Sequence, residues 1–103
     1  MFHKGGIMIL KFSKHAEVRA QQRGVPYQIA DLLIQYGAEQ HDGHGGVIRY
    51  FSSESIREMQ SEIGQTTVKK ISEHLRTYLV EACSDGAVIT VGKLYTNKHI
   101  WRH

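Results

Sequence analysis

The sequence predicts an α+β domain in which two N-terminal helices precede two β-hairpins, with an inserted pair of helices between the hairpins. Three observations predict this class: apolar residues at helical spacing that stop at glycines, two short glycine-containing turns between β-type segments, and a length of 103 residues. A hydrophobic content of 41% is enough to build a core without disulfides or metals. We therefore expect one domain over residues 1–103.

The N-terminal third predicts a short strand and two helices. Residues 7–12 are mostly apolar and are typical of a strand or of a segment packed beneath a helix. Residues 13–23 begin with a serine that suits an N-cap and contain no glycine or proline, and Gly24 follows as a left-handed stop. Pro26 suits the first position of a second helix, which we expect to end at Gly37 and to be largely buried.

The middle of the chain predicts a hairpin followed by two amphipathic helices. Residues 38–41 and 47–51 flank the loop DGHGG, whose glycines are typical of a hairpin. Apolar residues then recur twice at i, i+3, i+7 spacing, first up to Gly64 and then after a threonine cap at Thr66 or Thr67. These two repeats are the inserted helical pair.

The last hairpin is predicted by Asp85-Gly86, because a type I′ turn needs positive φ at both central positions. Counting outward from a two-residue loop places Glu81 opposite Thr90. These two residues would share a mixed face of the sheet with Leu79 and Val88. A mixed face beside a helix is where a site can form.

Charge and cysteine content restrict the class of protein. The chain has 13 basic and 10 acidic side chains, a formal charge of +3 with seven histidines uncounted, and no long basic run. Such a bias permits contact with a phosphate backbone but does not predict binding by charge alone. No apolar run approaches the roughly 20 residues of a membrane span, the N-terminus does not resemble a signal peptide, and the lone Cys83 suits a reducing compartment. We expect a cytoplasmic protein with no membrane association.

The first helix carries the most chemically suggestive residues. His15, Arg19 and Arg23 are spaced four apart, so they form a row over two turns with neighbouring Cβ atoms about 6 Å apart. Ala16 and Ala20 lie beside this row and allow the helix to approach the sheet closely. The three polar side chains are therefore expected at the rim of the contact between helix and sheet.

Two interpretations of the row are open. Two arginines four residues apart repel each other by a few tenths of a kcal/mol, so a compensating group is expected. One candidate is an acid across the fold, such as Glu81 or Asp31, in a structural ion-pair network. The other is a phosphate, which matches the planar fork of the guanidinium groups.

The row also carries a family resemblance. The stretch SKHAEVRAQQRGV, with arginines four and eight positions after its histidine and a glycine directly after the second, resembles the opening of the family catalogued as domain of unknown function 4258. The segments GGVIRYF and DGAVITV resemble that family's two hairpins, whereas residues 52–76 look like a longer helical insertion. The family has been grouped with metal-independent ribonucleases of the barnase, colicin and toxin type. The resemblance implies N-terminal helices packed on a curved antiparallel sheet and a ribonuclease-like or RNA-binding function.

Residue by residue, the resemblance implies a catalytic set of His15, Arg19, Arg23 and Thr90. Metal-independent RNA cleavage needs a base, an acid and cations for the charge on phosphorus. His15 would be the base or acid, Arg19 and Arg23 the phosphate clamp, and Thr90 a donor to a non-bridging oxygen. A second proton carrier is open among His44, Lys93, Tyr95 and His99.

The expected partners follow from these roles. They are RNA or another phosphate-bearing ligand and, for a toxin-like nuclease, a cognate inhibitor protein, and no cofactor is expected. The loop with His41 and His44 offers too few ligands for a metal site, and Cys83 is expected to be a small buried hydrophobe. Trp101 could stack on a base, although a terminal aromatic more often docks on its own core. The alternative function is a non-catalytic interaction or regulatory module in which the row is structural.

Overall fold

The computed structural model describes residues 11–94 and has an α+β fold, with helices packed on a four-stranded antiparallel sheet. The elements are α1 (Lys14–Arg23), α2 (Tyr27–Tyr36), β1 (Ala38–His41), β2 (Gly46–Tyr50), α3 (Ser53–Ile63), α4 (Gln65–Lys70), a 3₁₀ turn (Ser72–His74), β3 (Thr77–Ala82) and β4 (Val88–Lys93). The strand order is β1-β2-β3-β4, which confirms the predicted fold class. Within residues 11–94 no helix is long and apolar enough to cross a bilayer.

Helix α1 begins and ends where the sequence predicts. The side chain of Ser13 accepts a hydrogen bond from the backbone N–H of Ala16 at 3.0 Å, which satisfies one of the free donors of the first turn. Gly24 follows with φ of 65°, a conformation that costs glycine little. Ala16 is fully buried and Ala20 packs at the edge of the core, so α1 lies close against β4.

The segment before α1 extends the sheet at its β4 edge. The N–H of Val88 donates to the carbonyl of Lys11 at 2.7 Å, and the N–H of Ser13 donates to the carbonyl of Val88 at 2.9 Å. Phe12 thus forms a parallel bridge with Val88. The rest of the predicted N-terminal strand, residues 7–10, and the tail from residue 95 onward lie outside the described residues.

The core lies between the helices and one face of the sheet. Helix α2 begins one residue later than predicted, with Pro26 as its N-cap, and buries most of its apolar side chains. Leu33 of α2, Met59 of α3 and Leu79 of β3 have no exposed surface. Burying each such side chain contributes about 1.5–3 kcal/mol, so packing against the sheet fixes the positions of α2 and α3.

Helix α4 is shorter than predicted. It starts directly after Gly64 rather than at a threonine cap, ends at Lys70, and is followed by the 3₁₀ turn. The predicted apolar spacing is nevertheless used, because Val68, Ile71 and Leu75 all pack on the core. The apolar spacing identifies the side chains that face the core. The 3₁₀ turn after the short helix keeps these side chains on the same side.

The β3–β4 loop differs from the predicted turn. The N–H of Ala82 donates to the carbonyl of Ala87 at 2.9 Å, and the N–H of Gly86 donates to the carbonyl of Ala82 at 2.8 Å, so four residues form the loop. Gly86 has φ of 75°, but no non-glycine residue within 11–94 has positive φ, which makes the predicted type I′ turn wrong. Asp85 instead accepts the N–H of Ala87 through its side chain at 3.0 Å, a local bond typical of aspartate in turns.

An irregularity in the β3–β4 pairing corrects the predicted mixed face. Val80 pairs with Thr90 and Glu81 pairs with Val88, which leaves Ile89 as an extra residue in β4. One extra residue moves every later side chain to the other face of a strand. Glu81 and Thr90 therefore lie on opposite faces of the sheet, not on a shared one.

A partly buried hydrogen bond links α2 to α3. The hydroxyl of Tyr36 donates to a carboxylate oxygen of Glu62 at 2.9 Å. Burial of the phenol, followed by the hydrogen bond and negative charge of Glu62 and the charge of Glu58, raises the pKa of Tyr36 from 10.0 to about 12. The folded protein thus retains a proton that the unfolded chain loses at lower pH.

This link predicts an alkaline loss of stability. Because the folded pKa is raised, the contribution is complete below pH 10 and is lost as pH rises from 10 to about 12. Urea unfolding at pH 9 and pH 11.5 should show a larger fall in unfolding free energy for the wild type than for Tyr36→Phe, by on the order of 1–2 kcal/mol. Equal falls in the two proteins would contradict the raised pKa.

Candidate functional site

The predicted row lies on one flank of α1. Residues of a helix follow one another at about 100°, so Arg19 and Arg23 lie beside the line of Ala16 and Ala20 that faces the core, and His15 lies further toward solvent. Both arginines are half-buried and His15 is exposed. The arginines therefore sit at the rim of the helix–sheet contact, as predicted, whereas His15 is in solvent.

The guanidinium group of Arg19 lacks a partner within the described residues. Its Nε is buried and makes no hydrogen bond, and no carboxylate within residues 11–94 forms an ion pair with it. A buried donor left without an acceptor costs about 1–3 kcal/mol, and such donors are uncommon in native proteins. Among the three residues of the row, Arg19 would gain most stability from a bound acceptor.

Glu81, one of the two acids expected near the row, is bound to another arginine. Its carboxylate accepts a hydrogen bond from Nε of Arg49, and Nη1 of Arg49 lies 3.1 Å from the carboxylate of Glu39. Nη1 of Arg49 also donates to the carbonyl of Ile34 in α2 at 3.4 Å. The side chains of Arg49 and Glu81 are only 17% and 13% exposed. The interpretation that Glu81 neutralises the row is therefore wrong.

Asp31, the other expected acid, is buried in α2 with 3% of its surface exposed. Asp31 and Arg23 each interact with other groups of the protein. Of the two acids expected near the row, Asp31 is therefore the one that stays open as the acid of a structural network. Such a network leaves the half-buried charge of Arg19 unexplained.

Thr90 does not share a face of the sheet with α1. It is half-buried opposite Val80, whereas Ala16 of α1 belongs to the core cluster with Leu79 and Val91 on the other face. The structure therefore brings His15, Arg19 and Arg23 together on one helix and sets Thr90 apart. The predicted place of Thr90 opposite Glu81 depended on the two-residue turn, which does not form, whereas its catalytic role is what the family resemblance implies.

The four candidates for a second proton carrier are spread over the fold. Lys93 pairs with Thr77 at the end of β4, and His44 lies in the loop between β1 and β2. Tyr95 and His99 lie outside the described residues, as does Trp101. Lys93 belongs to β4, the strand against which α1 packs, whereas His44 lies at the opposite edge of the sheet.

The loop between β1 and β2 is held by Asp42. Its carboxylate accepts the backbone N–H groups of His44 at 2.6 Å and of Gly46 at 2.9 Å, and these bonds lower its pKa. Cys83 is exposed rather than buried, because it is the first residue of the longer β3–β4 loop, and its Sγ lies 3.9 Å from Nδ1 of His41. Within residues 11–94 no three potential metal ligands of the His, Cys, Asp or Glu type come together.

A cavity of about 580 Å³ lies on the opposite flank of α1 from the row. Phe12, Val18 and Tyr27 contribute to its walls, and the last two are 41% and 47% exposed. The sequence did not predict this cavity. Val18 interrupts the polar side of α1, but the residues that face it come from the start of α2 and from the segment before α1, which only tertiary packing brings together.

Chemically, the flank of α1 that carries the row offers two guanidinium groups and an exposed imidazole within about two turns. Guanidinium groups bind phosphate oxygens through paired hydrogen bonds, and an imidazole can transfer a proton near neutral pH.

The sequence matches no protein-family model and no curated protein, and the fold matches no solved structure.

Proposed function

We propose that this domain binds the phosphate groups of RNA on the flank of α1, with Arg19 as the principal ligand, Arg23 as a second cation and His15 at the exposed end. The observation that carries the proposal is the half-buried guanidinium group of Arg19, which is partly open to solvent and has no ion-pair partner within residues 11–94. A phosphate oxygen supplies both the acceptor and the negative charge.

The choice of RNA rests on charge and on the motif. The net charge of +3 permits contact with a polyanion, and the helical spacing of the arginines offers two donor groups to one chain of phosphates. The resemblance of the His-Arg-Arg-Gly pattern to a family grouped with ribonucleases supports RNA as the polyanion.

Salt dependence tests the proposal. We expect binding of fluorescently labelled single-stranded RNA to weaken linearly as the logarithm of salt concentration rises. The slope is about −0.7 per phosphate contact, hence about −1.4 for two arginines. An affinity that does not change between low and physiological salt would count against a phosphate site.

Cleavage of the bound RNA is a second candidate, favoured by the exposure of His15 on the same flank as the arginines. If His15 transfers a proton, the wild type should cleave RNA in the presence of a chelator, and His15→Ala should lower the rate by about 100-fold or more while it still binds RNA. Equal background cleavage by both proteins would leave binding without catalysis.

The alternative is an interaction module in which Arg23 and the buried Asp31 belong to a structural network. In that case Arg23→Ala would lower the melting temperature by several degrees, and the domain would not bind RNA. Measurements of melting temperature and of RNA affinity therefore distinguish the two functions.

A further inference from the structure

The cavity on the second flank of α1 is open to solvent and has the volume of a small-ligand site. Its volume of about 580 Å³ falls within the roughly 300–1,000 Å³ of ligand pockets. Three large apolar side chains are exposed within the described residues, and two of them, Val18 and Tyr27, line this cavity. Exposed apolar groups gathered in one concavity indicate a binding surface more strongly than scattered ones do.

Two aromatic rings form part of the cavity wall. The ring centroids of Phe12 and Tyr27 are 5.8 Å apart and their planes meet at 34°, so the two rings pack against each other. Tyr27 nevertheless retains 47% of its surface exposed. An aromatic side chain held by a neighbour and open on another side offers a surface on which a flat ring can stack.

Three polar side chains line the same cavity: Lys14, Glu17 and Gln21. None of them forms a side-chain hydrogen bond or ion pair within residues 11–94. Lys14 can donate, Glu17 can accept and Gln21 can do both. This set matches a ligand whose edge carries both donors and acceptors, and it does not match an aliphatic chain.

We infer that the cavity binds an unpaired nucleobase, stacked against Tyr27 and recognised along its edge by these polar side chains. The inference rests on the proposed function, because the row and the cavity lie on the two sides of the exposed ridge of α1. A helix is about 10–12 Å across with its side chains, so one RNA strand that crosses the ridge can place a phosphate on Arg19 and a base in the cavity. Bases in a duplex are paired and stacked, so the ligand is single-stranded RNA.

The experiment separates the two sites by using probes that each contain half of the ligand. Adenosine, guanosine, cytidine and uridine carry no phosphate, and inorganic tripolyphosphate carries no base. We expect a nucleoside to shift the backbone amide signals of Val18 and Tyr27 in ¹H–¹⁵N spectra, and tripolyphosphate to shift the side-chain signal of Arg19.

Matched variants assign each effect. Tyr27→Ala should weaken nucleoside binding by about tenfold, as expected for the loss of one stacking contact, and should leave tripolyphosphate binding within twofold. Tyr27→Phe keeps the ring and should bind nucleosides as the wild type does. Ile89→Ala, which removes the third exposed apolar side chain, is the control and should change neither.

The outcomes distinguish failure of the cavity from failure of the proposed function. If nucleosides shift the cavity signals but tripolyphosphate leaves Arg19 unchanged, the phosphate site fails and the base site stands. If no nucleoside binds at millimolar concentration, or if Tyr27→Ala binds nucleosides as well as Tyr27→Phe, the nucleobase assignment is overturned.

Discussion

Replacement of Arg19 by alanine is expected to weaken binding of single-stranded RNA by about 10- to 100-fold. The expected loss is that of a hydrogen bond to a charged group, about 1.5–3 kcal/mol. The salt slope should also become shallower by about 0.7, since one phosphate contact is removed. Fluorescence anisotropy at several salt concentrations measures both quantities.

Two comparisons test whether the effect of Arg19→Ala on RNA affinity is specific to this position. Arg57→Ala removes the same charge from an exposed position on α3 and should change affinity by less than twofold. Arg19→Ala should not lower the melting temperature, because the guanidinium group has no partner within residues 11–94 to lose and alanine favours a helix. A large loss of stability with unchanged RNA affinity would favour the structural interpretation of the row.

Replacement of Arg49 by alanine is expected to lower the free energy of unfolding by about 3–5 kcal/mol. Arg49 joins strands β1 and β3 through Glu39 and Glu81 and reaches the carbonyl of Ile34 in α2. Its removal leaves the carboxylate of Glu81, only 13% exposed, without its cation. Urea unfolding followed by circular dichroism measures the loss.

Two further variants control for the general effect of removing a charge. Glu39 is 55% exposed, so Glu39→Ala should cost no more than about 1 kcal/mol. The double variant Arg49→Met, Glu81→Met removes both buried charges and should recover part of the stability lost in Arg49→Ala. If Arg49→Ala cost no more than Glu39→Ala, the network would not be a principal stabilising feature of the sheet.

The helix ends were predictable because the interactions that set them are local. The hydrogen bond from the Ala16 N–H to Ser13 spans three residues, and the left-handed Gly24 depends on its own φ. The row of His15, Arg19 and Arg23 was predictable for the same reason. A spacing of four residues fixes which side chains share a helix flank, whatever the rest of the chain does.

The register of β3 and β4 was not predictable from the turn residues alone. Asp85-Gly86 is compatible with a two-residue turn and also with a longer loop in which only Gly86 has positive φ. The two loops give different registers, and in the observed register the buried Leu79 pairs with the buried Val91. The burial of these two side chains depends on the helices that cover the sheet. Because the two-residue turn does not form, Thr90 does not lie on the predicted face of the sheet.

The ion pair between Arg49 and Glu81 could not be predicted from the local sequence either. Arg49 and Glu81 are 32 residues apart in sequence and meet because β2 and β3 are neighbours in the sheet. Glu81 was expected to serve the row, since its partner on β2 could not be identified before the strand order was known. The aromatic wall of the cavity likewise joins Phe12 and Tyr27, which lie on either side of α1 in the chain.

The most direct test of the phosphate site observes the Arg19 side chain itself. In ¹H–¹⁵N spectra that resolve the arginine Nε–H groups, titration with single-stranded RNA should shift the Arg19 signal along a saturating curve with the Kd measured by anisotropy. The Arg57 signal should stay in place. An Arg19 Nε–H signal that does not move at saturating RNA would contradict phosphate binding at this flank of α1.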